Sequence, residues 1–190
     1  VVSADPWRFR GEFATQFGDY EGAAFDREGN GGYIMANRVF KAAKLKPDVG
    51  MGFIYLSGDD PSTPDLEHWD PLFSRYPWIS EFYYVPLANE KGVAYWTNLS
   101  AWQASVKLTL SQATNLTVWY NYLRANENVA GAFFGTGKTR GHLPQVRVNH
   151  RFNKYLDGYV LYEHFIPGDF HSAAAQDTGM FLRAELQLKF

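Results

Sequence analysis

The sequence predicts an all-β protein, a transmembrane antiparallel up-and-down β-barrel of about eight strands. Three observations support this prediction. Most of the chain consists of stretches in which apolar and polar residues alternate, as they do along β-strands. The connections between these stretches are alternately short and long. The last stretch, Met180 to Phe190, alternates throughout and ends on an aromatic residue.

Composition excludes several functions. The 190 residues include no cysteine, so disulfides, thiolate metal sites and cysteine nucleophiles are excluded. The net charge of −2 gives no indication of nucleic-acid binding. No apolar run reaches the roughly 18 residues of a membrane-spanning helix, whereas a spanning strand needs only about ten alternating residues. Aromatic residues make up 17% of the chain, as girdles at a membrane surface would require. We predict one domain over residues 1–190.

The first predicted strand, Trp7 to Tyr20, has two distinct sides. The apolar side holds Trp7, Phe9, Phe13 and Phe17, and the polar side holds Arg8, Arg10, Glu12 and Gln16. The polar, glycine-rich segment from Asp19 to Gly32 predicts a long loop. A second strand follows from Tyr33 to Ala43.

A tight turn and the longest loop flank the third predicted strand. Pro47 fixes φ and Asp48 can close a turn with its side chain, so residues 44–48 form the turn. The strand runs from Val49 to Ser57, with Met51, Phe53 and Tyr55 on one face. Residues 58–94 have no stable period and predict an extracellular loop that folds over or into the barrel mouth and gates it. The candidate gating residues are Asp59, Asp60, Trp69, Asp70 and Arg75.

The remaining stretches continue the meander. The further predicted strands are Trp96 to Leu110, Leu116 to Tyr122, Leu143 to Phe152, Leu156 to Phe165, and Met180 to Phe190. Residues 112–115 and 153–154 form short turns, whereas residues 126–139 and the segment around Pro167 to Phe170 form loops. All long loops therefore fall at one end of the meander, as in transmembrane barrels.

If the apolar face meets lipid, the charged face lines the barrel interior. The candidate lumen residues are Arg8, Arg10, Glu12, Lys107, Arg147, Arg151, Glu163, Arg183, Glu185 and Lys189. Cations outnumber anions in this set, and such a bias favours anionic solutes by electrostatic focusing. The alternative is a salt-bridged interior without selectivity.

The sequence gives no pattern for a metal site, a cofactor or an enzyme. His142, His150 and His164 are scattered over two strands. The acidic residues between Asp59 and Asp70 are interpreted first as a solvated loop, with a divalent-ion site as the alternative. Asp169, His171 and Ser172 lie close in sequence, but no pattern orients them as acid, base and nucleophile.

The loop motifs add a family resemblance. The motifs are Ser57-Gly58-Asp59-Asp60, Trp69-Asp70-Pro71-Leu72-Phe73 followed by Tyr76-Pro77-Trp78, and Phe165-Ile166-Pro167-Gly168-Asp169-Phe170. In their order and spacing they resemble the alginate-export family of outer-membrane porins. The predicted hairpin from Val146 to Phe165, closed by Asn153 and Lys154, is similar to a late hairpin of that family.

The resemblance implies a monomeric barrel of roughly eighteen strands in a bacterial outer membrane. Such a barrel passes an anionic polysaccharide or similar acidic solutes through an arginine-rich constriction, for which Arg147 and Arg183 are the best candidates here. Only the carboxy-terminal part of the family's usual length is covered, so we expect a fragment that holds the last eight strands. The expected partners are outer-membrane lipid, the anionic solute, and the barrel-assembly machinery, which would recognise Phe190.

Two other interpretations remain open from the sequence. A closed barrel of about eight strands has an interior filled by side chains and would act as a structural or adhesive membrane protein. A soluble β-barrel that binds carbohydrate would show the same alternation with the polar face outside.

Overall fold

The computed structural model describes residues 2–19, 25–71, 79–80 and 96–190, which form one antiparallel sheet. Its strands are β1 (Val2–Ala4), β2 (Trp7–Asp19), β3 (Asp26–Val39), β4 (Asp48–Leu56), β5 (Leu99–Thr109), β6 (Thr114–Arg124), β7 (Thr139–Arg151), β8 (Leu156–Pro167) and β9 (Gly179–Leu188). One turn of 3-10 helix, Ala173–Ala175, precedes β9. Within the described ranges, no helix has the length and apolar character needed to span a membrane.

Each strand pairs with its neighbours in sequence, so the predicted up-and-down meander is confirmed. The short strand β1 was not predicted; it pairs only with the beginning of β2. Strand β9 pairs only with β8. The sheet is open in the part of the chain that is described, because β1 and β9 do not pair with each other.

The connections fall into two sets. Residues 40–47, 110–113 and 152–155 join strands at one edge of the sheet, which we call the turn end. Residues 20–25, 57–98, 125–138 and 168–178 join strands at the opposite edge, the loop end. The predicted asymmetry is therefore present, although the first connection is shorter than expected.

The prediction of a loop from Asp19 to Gly32 is wrong. Strand β3 begins at Asp26, and its glycine-rich half pairs with β2 from Asp19 to Phe13. Glycine is required here for packing: a Cβ on Gly31 would lie 2.7 Å from ring atoms of Trp69. Because Trp69 comes from a distant segment, this tertiary contact was not visible in the local pattern.

The start of β7 also differs from the prediction. The strand begins at Thr139 rather than Leu143, and its pairing with β6 shifts register between Leu123 and Arg124. The irregular pairing breaks the alternation that served to locate the strand. It also places Arg140 inside the protein, fully buried, with Nε donating to the Asn98 carbonyl at 3.2 Å.

The two faces of the sheet have the predicted residues. The apolar face carries, among others, Phe9, Phe13, Phe17, Ile34, Met51, Val106, Val118, Val160, Leu182 and Leu186. These side chains are strongly exposed: Phe13 is 73%, Met51 72% and Leu182 72% accessible. All the predicted lumen residues lie on the opposite face, which we call the polar face.

The buried core lies on the loop-end half of the polar face. It comprises Ile54, Leu56, Trp96, Leu99, Ala101, Leu123, Leu143 and Phe165. Trp69 and Ile79 pack against this core. Since Trp69, Ile79 and Trp96 all belong to the connection between β4 and β5, that connection covers the loop-end half of the polar face.

The motif residues from 165 to 170 act as a structural clasp. The amides of Gly168 and Phe170 donate to the carbonyls of Arg140 and Thr139 at 3.0 and 2.9 Å. The Asp169 carboxylate accepts the Thr139 amide at 2.8 Å. A Cβ on Gly137 would collide with that carboxylate, which explains the glycine. The clasp joins the beginning of β7 to the loop after β8.

Candidate functional site: a cationic groove on the polar face

The turn-end half of the polar face contains an open groove of about 590 Å³. Cross-strand register aligns its walls: Asn37 of β3 lies between Arg8 of β2 and Gly50 of β4, and Gly50 faces Ser105 of β5. Thr117 of β6 in turn lies between Lys107 and Arg147. Strand pairing therefore brings together basic residues from distant parts of the sequence.

Four cations line this groove, Arg8, Arg10, Lys107 and Arg147, together with one carboxylate, Asp48. The Arg8 guanidinium forms an ion pair with Asp48. The side chains of Arg10 and Lys107 have no hydrogen-bond or ion-pair partner among the residues that the structure describes, although Lys107 lies opposite Asp48 in the strand register. The groove therefore keeps an excess of positive charge.

Arg147 occupies the junction between this groove and a second one of about 320 Å³. Its guanidinium carbon lies 3.7 Å from the centre of the Tyr159 ring, and its Nε donates to Asn149 Oδ1 at 2.8 Å. Stacking and the hydrogen bond hold the guanidinium plane without neutralising its charge. Arg147 thus presents a fixed cation to both grooves.

The second groove is electrically balanced. Arg147 and Arg151 line it together with the carboxylates of Asp157 and Glu185. Arg183 donates to Glu185 at 2.5 Å. In addition, Lys189 pairs with Asp157, the Tyr159 hydroxyl donates to Glu185 at 2.9 Å, and Arg151 donates to the Gln112 carbonyl at 3.3 Å. Arg183 therefore has a carboxylate partner within the protein, whereas Arg147 stacks on an aromatic ring.

Two predicted lumen residues contribute elsewhere on the polar face. Glu12 lines a separate cavity of about 400 Å³ with Arg10, against Tyr33 and Trp69. Glu163 points to the polar face but is only 1% exposed, because Ser80 covers it and donates to its Oε2 at 2.5 Å. Alternation indicated the face on which Glu163 lies but not its burial.

The described part of the predicted gating loop is fixed to the sheet. The Trp69 amide donates to the Ser57 carbonyl at 3.0 Å, and the Asp70 amide donates to Gln16 Oε1 at 2.8 Å. The Asp59 carboxylate accepts the Glu67 amide at 2.9 Å. Arg75 and most of residues 72–94 lie outside the described residues, so their role stays a prediction.

Asp60 is part of a local turn. Its carboxylate accepts hydrogen bonds from the Ser62 hydroxyl at 2.7 Å and the Ser62 amide at 2.8 Å. These two bonds lower the pKa of Asp60, with the side-chain bond the larger cause. Across the described ranges, no cluster of three histidine or acidic side chains has the geometry of a metal site.

Asp169 and His171 each make a separate structural contact. Asp169 accepts a backbone amide, and His171 packs edge-on against Phe165 and Phe170 with ring centres 5.7 and 5.5 Å apart. Burial, with a smaller contribution from the Arg140 charge, lowers the pKa of His171 from 6.5 to about 4. A neutral, enclosed imidazole of this kind serves packing.

Several groove residues were missed by the sequence reasoning. Trp119 lines the cationic groove beside Gln103, Ser105 and Asn115. The signal for Trp119 was its position: it falls in the polar phase of β6, between Thr117 and Asn121. Arg140, which is buried outside the groove, offered no such signal, because it lies at the irregularity in the pairing of β6 with β7.

An up-and-down antiparallel β-sheet with one exposed apolar face and one face bearing a cationic groove is typical of transmembrane β-barrel proteins. The family model for alginate export matches residues 1–184. The match covers nearly the whole chain, and the chain therefore belongs to the alginate export family. Searches of curated proteins and of solved structures found no significant match.

Proposed function

We propose that this chain forms part of the wall of a bacterial outer-membrane β-barrel through which anionic solutes pass. The observation that carries the proposal is the charge of the groove, with four cations against one carboxylate. A cleft lined by one sign of charge and bounded by low-dielectric walls raises the local concentration of ions of opposite sign. Passage of this kind is passive and uses no cofactor.

The apolar face supports a membrane location. Large side chains such as Phe13, Ile34, Met51 and Leu182 are more than half exposed on β2, β3, β4 and β9. Monomeric soluble proteins rarely expose contiguous apolar patches of this extent. Strands β2 to β9 contain between 9 and 14 residues, which matches the roughly ten needed to cross a bilayer with tilt.

The open sheet supports a wide barrel. Strand β9 and most of β2 have a free edge in the described chain, and each edge must be paired where it meets lipid. Further strands on both sides, up to the roughly eighteen expected, would close the sheet around a space too wide for side chains to fill. This favours a channel over a closed barrel without a pore.

The groove lining indicates which anions fit. Besides the cations, it presents amides from Asn37, Gln103, Asn115 and Asn149 and hydroxyls from Ser105 and Thr117. Amides and hydroxyls exchange hydrogen bonds with hydroxylated solutes, while arginine and lysine bind carboxylates. An acidic polysaccharide, the cargo indicated by the family description, and smaller acidic solutes both suit this lining.

The test is a reversal-potential measurement on the full-length protein in a planar bilayer with unequal salt on the two sides. We expect an open current that favours anions. Neutralising the two cations that have no side-chain partner in the described part of the chain, Arg10→Gln with Lys107→Gln, should reduce the anion preference about threefold, since it removes two of the four cations of the groove.

The matched control is Lys44→Gln, which removes one exposed charge from the turn at residues 40–47. It should leave selectivity unchanged. The proposal is overturned if the protein inserts but carries no current. It is also overturned if the variant with Arg10→Gln and Lys107→Gln keeps the original anion preference.

A further inference from the structure

A chain of polar side chains crosses the polar face between its apolar and cationic halves. Gln103 Nε2 donates to Asn121 Oδ1 at 2.8 Å, and Asn121 Nδ2 donates to Gln145 Oε1 at 2.8 Å. Gln145 Nε2 then donates to Glu163 Oε1 at 2.6 Å. We call these four residues the polar ladder; they link β5, β6, β7 and β8 in order.

The direction of the polar ladder explains why it ends on an acid. Each amide accepts with its oxygen and donates with its nitrogen, so the donors all point toward β8. Because every hydrogen bond of the polar ladder runs from a donor to an acceptor in the same direction, the last residue must be an acceptor. A carboxylate accepts hydrogen bonds at two oxygens. Glu163 is that group, and its second oxygen can accept from one more donor.

The last donor comes from the connection between β4 and β5. Ser80 Oγ donates to Glu163 Oε2 at 2.5 Å, and Gln145 Nε2 also donates to the Ile79 carbonyl at 3.1 Å. Ser80, Gln145 and Glu163 are each at most 4% exposed. Buried hydrogen bonds to an acidic group are among the stronger ones in proteins, and losing one partner is costly.

The contacts of Ile79 and Ser80 with Gln145 and Glu163 lie at mid-height on the polar face. Gln145 and Glu163 lie near the middle of β7 and β8 and face each other across the strand pair. Ile79 and Ser80 therefore lie halfway down the polar face, well below the loop end. Ile79 also packs against the apolar core.

We propose that Glu163 is a positioning residue for solute passage: with Gln145 it holds Ile79 and Ser80 against the wall and so sets the width of the path at mid-height. The proposal rests on the proposed function only for its effect on current. Glu163 does not touch the solute, because Ser80 covers it. It acts through the two residues that it holds.

The first readout is independent of conduction. Ser80→Cys places a thiol of nearly the same size at the contact, in a full-length background without other cysteines. We expect slow modification by a charged, membrane-impermeant methanethiosulfonate reagent. Adding Glu163→Ala should accelerate modification about tenfold or more, because the contact opens without its acceptor.

The second readout is single-channel conductance with Ser80 restored. Glu163→Ala should change the conductance about twofold, because Ile79 and Ser80 are no longer held at their position in the path. Glu163→Gln should restore both readouts nearly to the wild-type values. A glutamine can accept from Gln145 with its oxygen and donate to the Ser80 hydroxyl with its nitrogen.

One variant serves as a control, and another serves as a second test. Glu28→Ala removes the same charge from an exposed position on the apolar face and should change neither readout. If Glu163→Ala fails to fold, Ser80→Ala removes the hydrogen bond from Ser80 to Glu163 and keeps the hydrogen bonds among the four residues of the polar ladder. It should change the conductance in the same direction by a smaller factor.

The outcomes separate this proposal from the previous one. Slow modification of the thiol in Ser80→Cys that Glu163→Ala does not accelerate overturns the role of Glu163, whatever the current shows. A protein that carries no current but shows the tenfold acceleration, reversed by Glu163→Gln, overturns the channel and leaves Glu163 holding Ser80. If Glu163→Ala accelerates thiol modification and also alters the conductance, both the channel and the positioning role of Glu163 are supported.

Discussion

The two halves of the polar face differ although the same strands build them. In the loop-end half, Leu99, Leu123 and Leu143 are fully buried beneath the connection between β4 and β5. In the turn-end half, Arg10 and Lys107 border an open groove. On β5 and β7 the polar face therefore changes from buried apolar residues at the loop end to basic residues at the turn end, and the polar ladder lies between the two parts.

One face of a strand can thus serve two purposes. The loop-end half provides the fold with a buried apolar core. The turn-end half keeps its cations along an open groove. Substitutions in the loop-end half should therefore affect stability, and substitutions in the turn-end half should affect ion selectivity. We refer to these as the packed half and the open half.

The largest effect is expected in the packed half. Leu123→Ala should lower the free energy of unfolding by about 2–5 kcal/mol, because Leu123 is fully buried and its removal leaves a cavity. Urea unfolding in lipid vesicles measures this loss. Leu182→Ala, on the exposed apolar face, is the matched control and should cost clearly less. Equal losses at the two positions would show that the loop-end half is not a packed core.

The stability of the protein should depend on pH through His171, which directly follows the clasp in sequence. Its pKa of about 4 lies below the ordinary value, so the folded state holds the imidazole neutral while the unfolded state binds a proton below about 6.5. The contribution of the neutral imidazole to the free energy of unfolding is therefore complete above pH 6.5, and it is lost as the pH drops toward 4. The loss should reach at most about 3 kcal/mol, at about 1.4 kcal/mol per pH unit.

Unfolding measured from pH 4 to 7 tests this dependence on His171. In His171→Phe, which keeps an aromatic ring at the site, the loss over this interval should largely disappear. A wild-type profile that is flat between pH 4 and 6.5 would contradict the buried, neutral state of His171.

The packing of Trp69 over β3 should respond to one added methyl group. Gly31→Ala places a Cβ about 2.7 Å from the indole ring, which must move, at a cost of about 1–3 kcal/mol. Trp69→Leu in the same chain should relieve the collision. In a double-mutant cycle, Gly31→Ala should therefore cost less when it is combined with Trp69→Leu; additive costs would mean that the two residues do not compete for space.

The smallest effect is expected in the open half. Asp48→Asn removes the only carboxylate of the cationic groove among the described residues and frees Arg8. The anion preference should rise about twofold in reversal-potential measurements. Asp65→Asn removes the same charge at the loop end and should leave selectivity unchanged. An unchanged preference in Asp48→Asn would mean that solutes do not sense this groove.

The strands could be predicted where alternation was regular. On β4, Met51, Phe53 and Tyr55 lie on the apolar face, as their spacing of two predicts. The same spacing placed Arg10, Lys107 and Arg147 on the opposite face, because side chains on a strand alternate between its sides. Alternation failed at residues 26–32, where glycines provide no side chain to reveal a period.

The candidate site could be predicted only in part for a related reason. Alternation indicates a residue's face but not what covers that face. Lys107 and Glu163 have equivalent positions in the pattern, yet Lys107 borders the groove and Glu163 is buried beneath Ser80. Whether a charge has a partner was equally hidden, since Asp48 pairs with Arg8 across strands that are not adjacent.

Local sequence was enough to predict the meander, the two faces of the sheet and the basic character of one face, because these follow from a strand repeat of two residues and from turn chemistry. Which half of the polar face is filled depends instead on the path of the connection between β4 and β5, and long-range contacts set that path. Trp69 packs over Gly31, Ile79 lies on the core and Ser80 bonds to Glu163. None of these contacts leaves a period in the sequence, because each joins residues that are far apart along the chain.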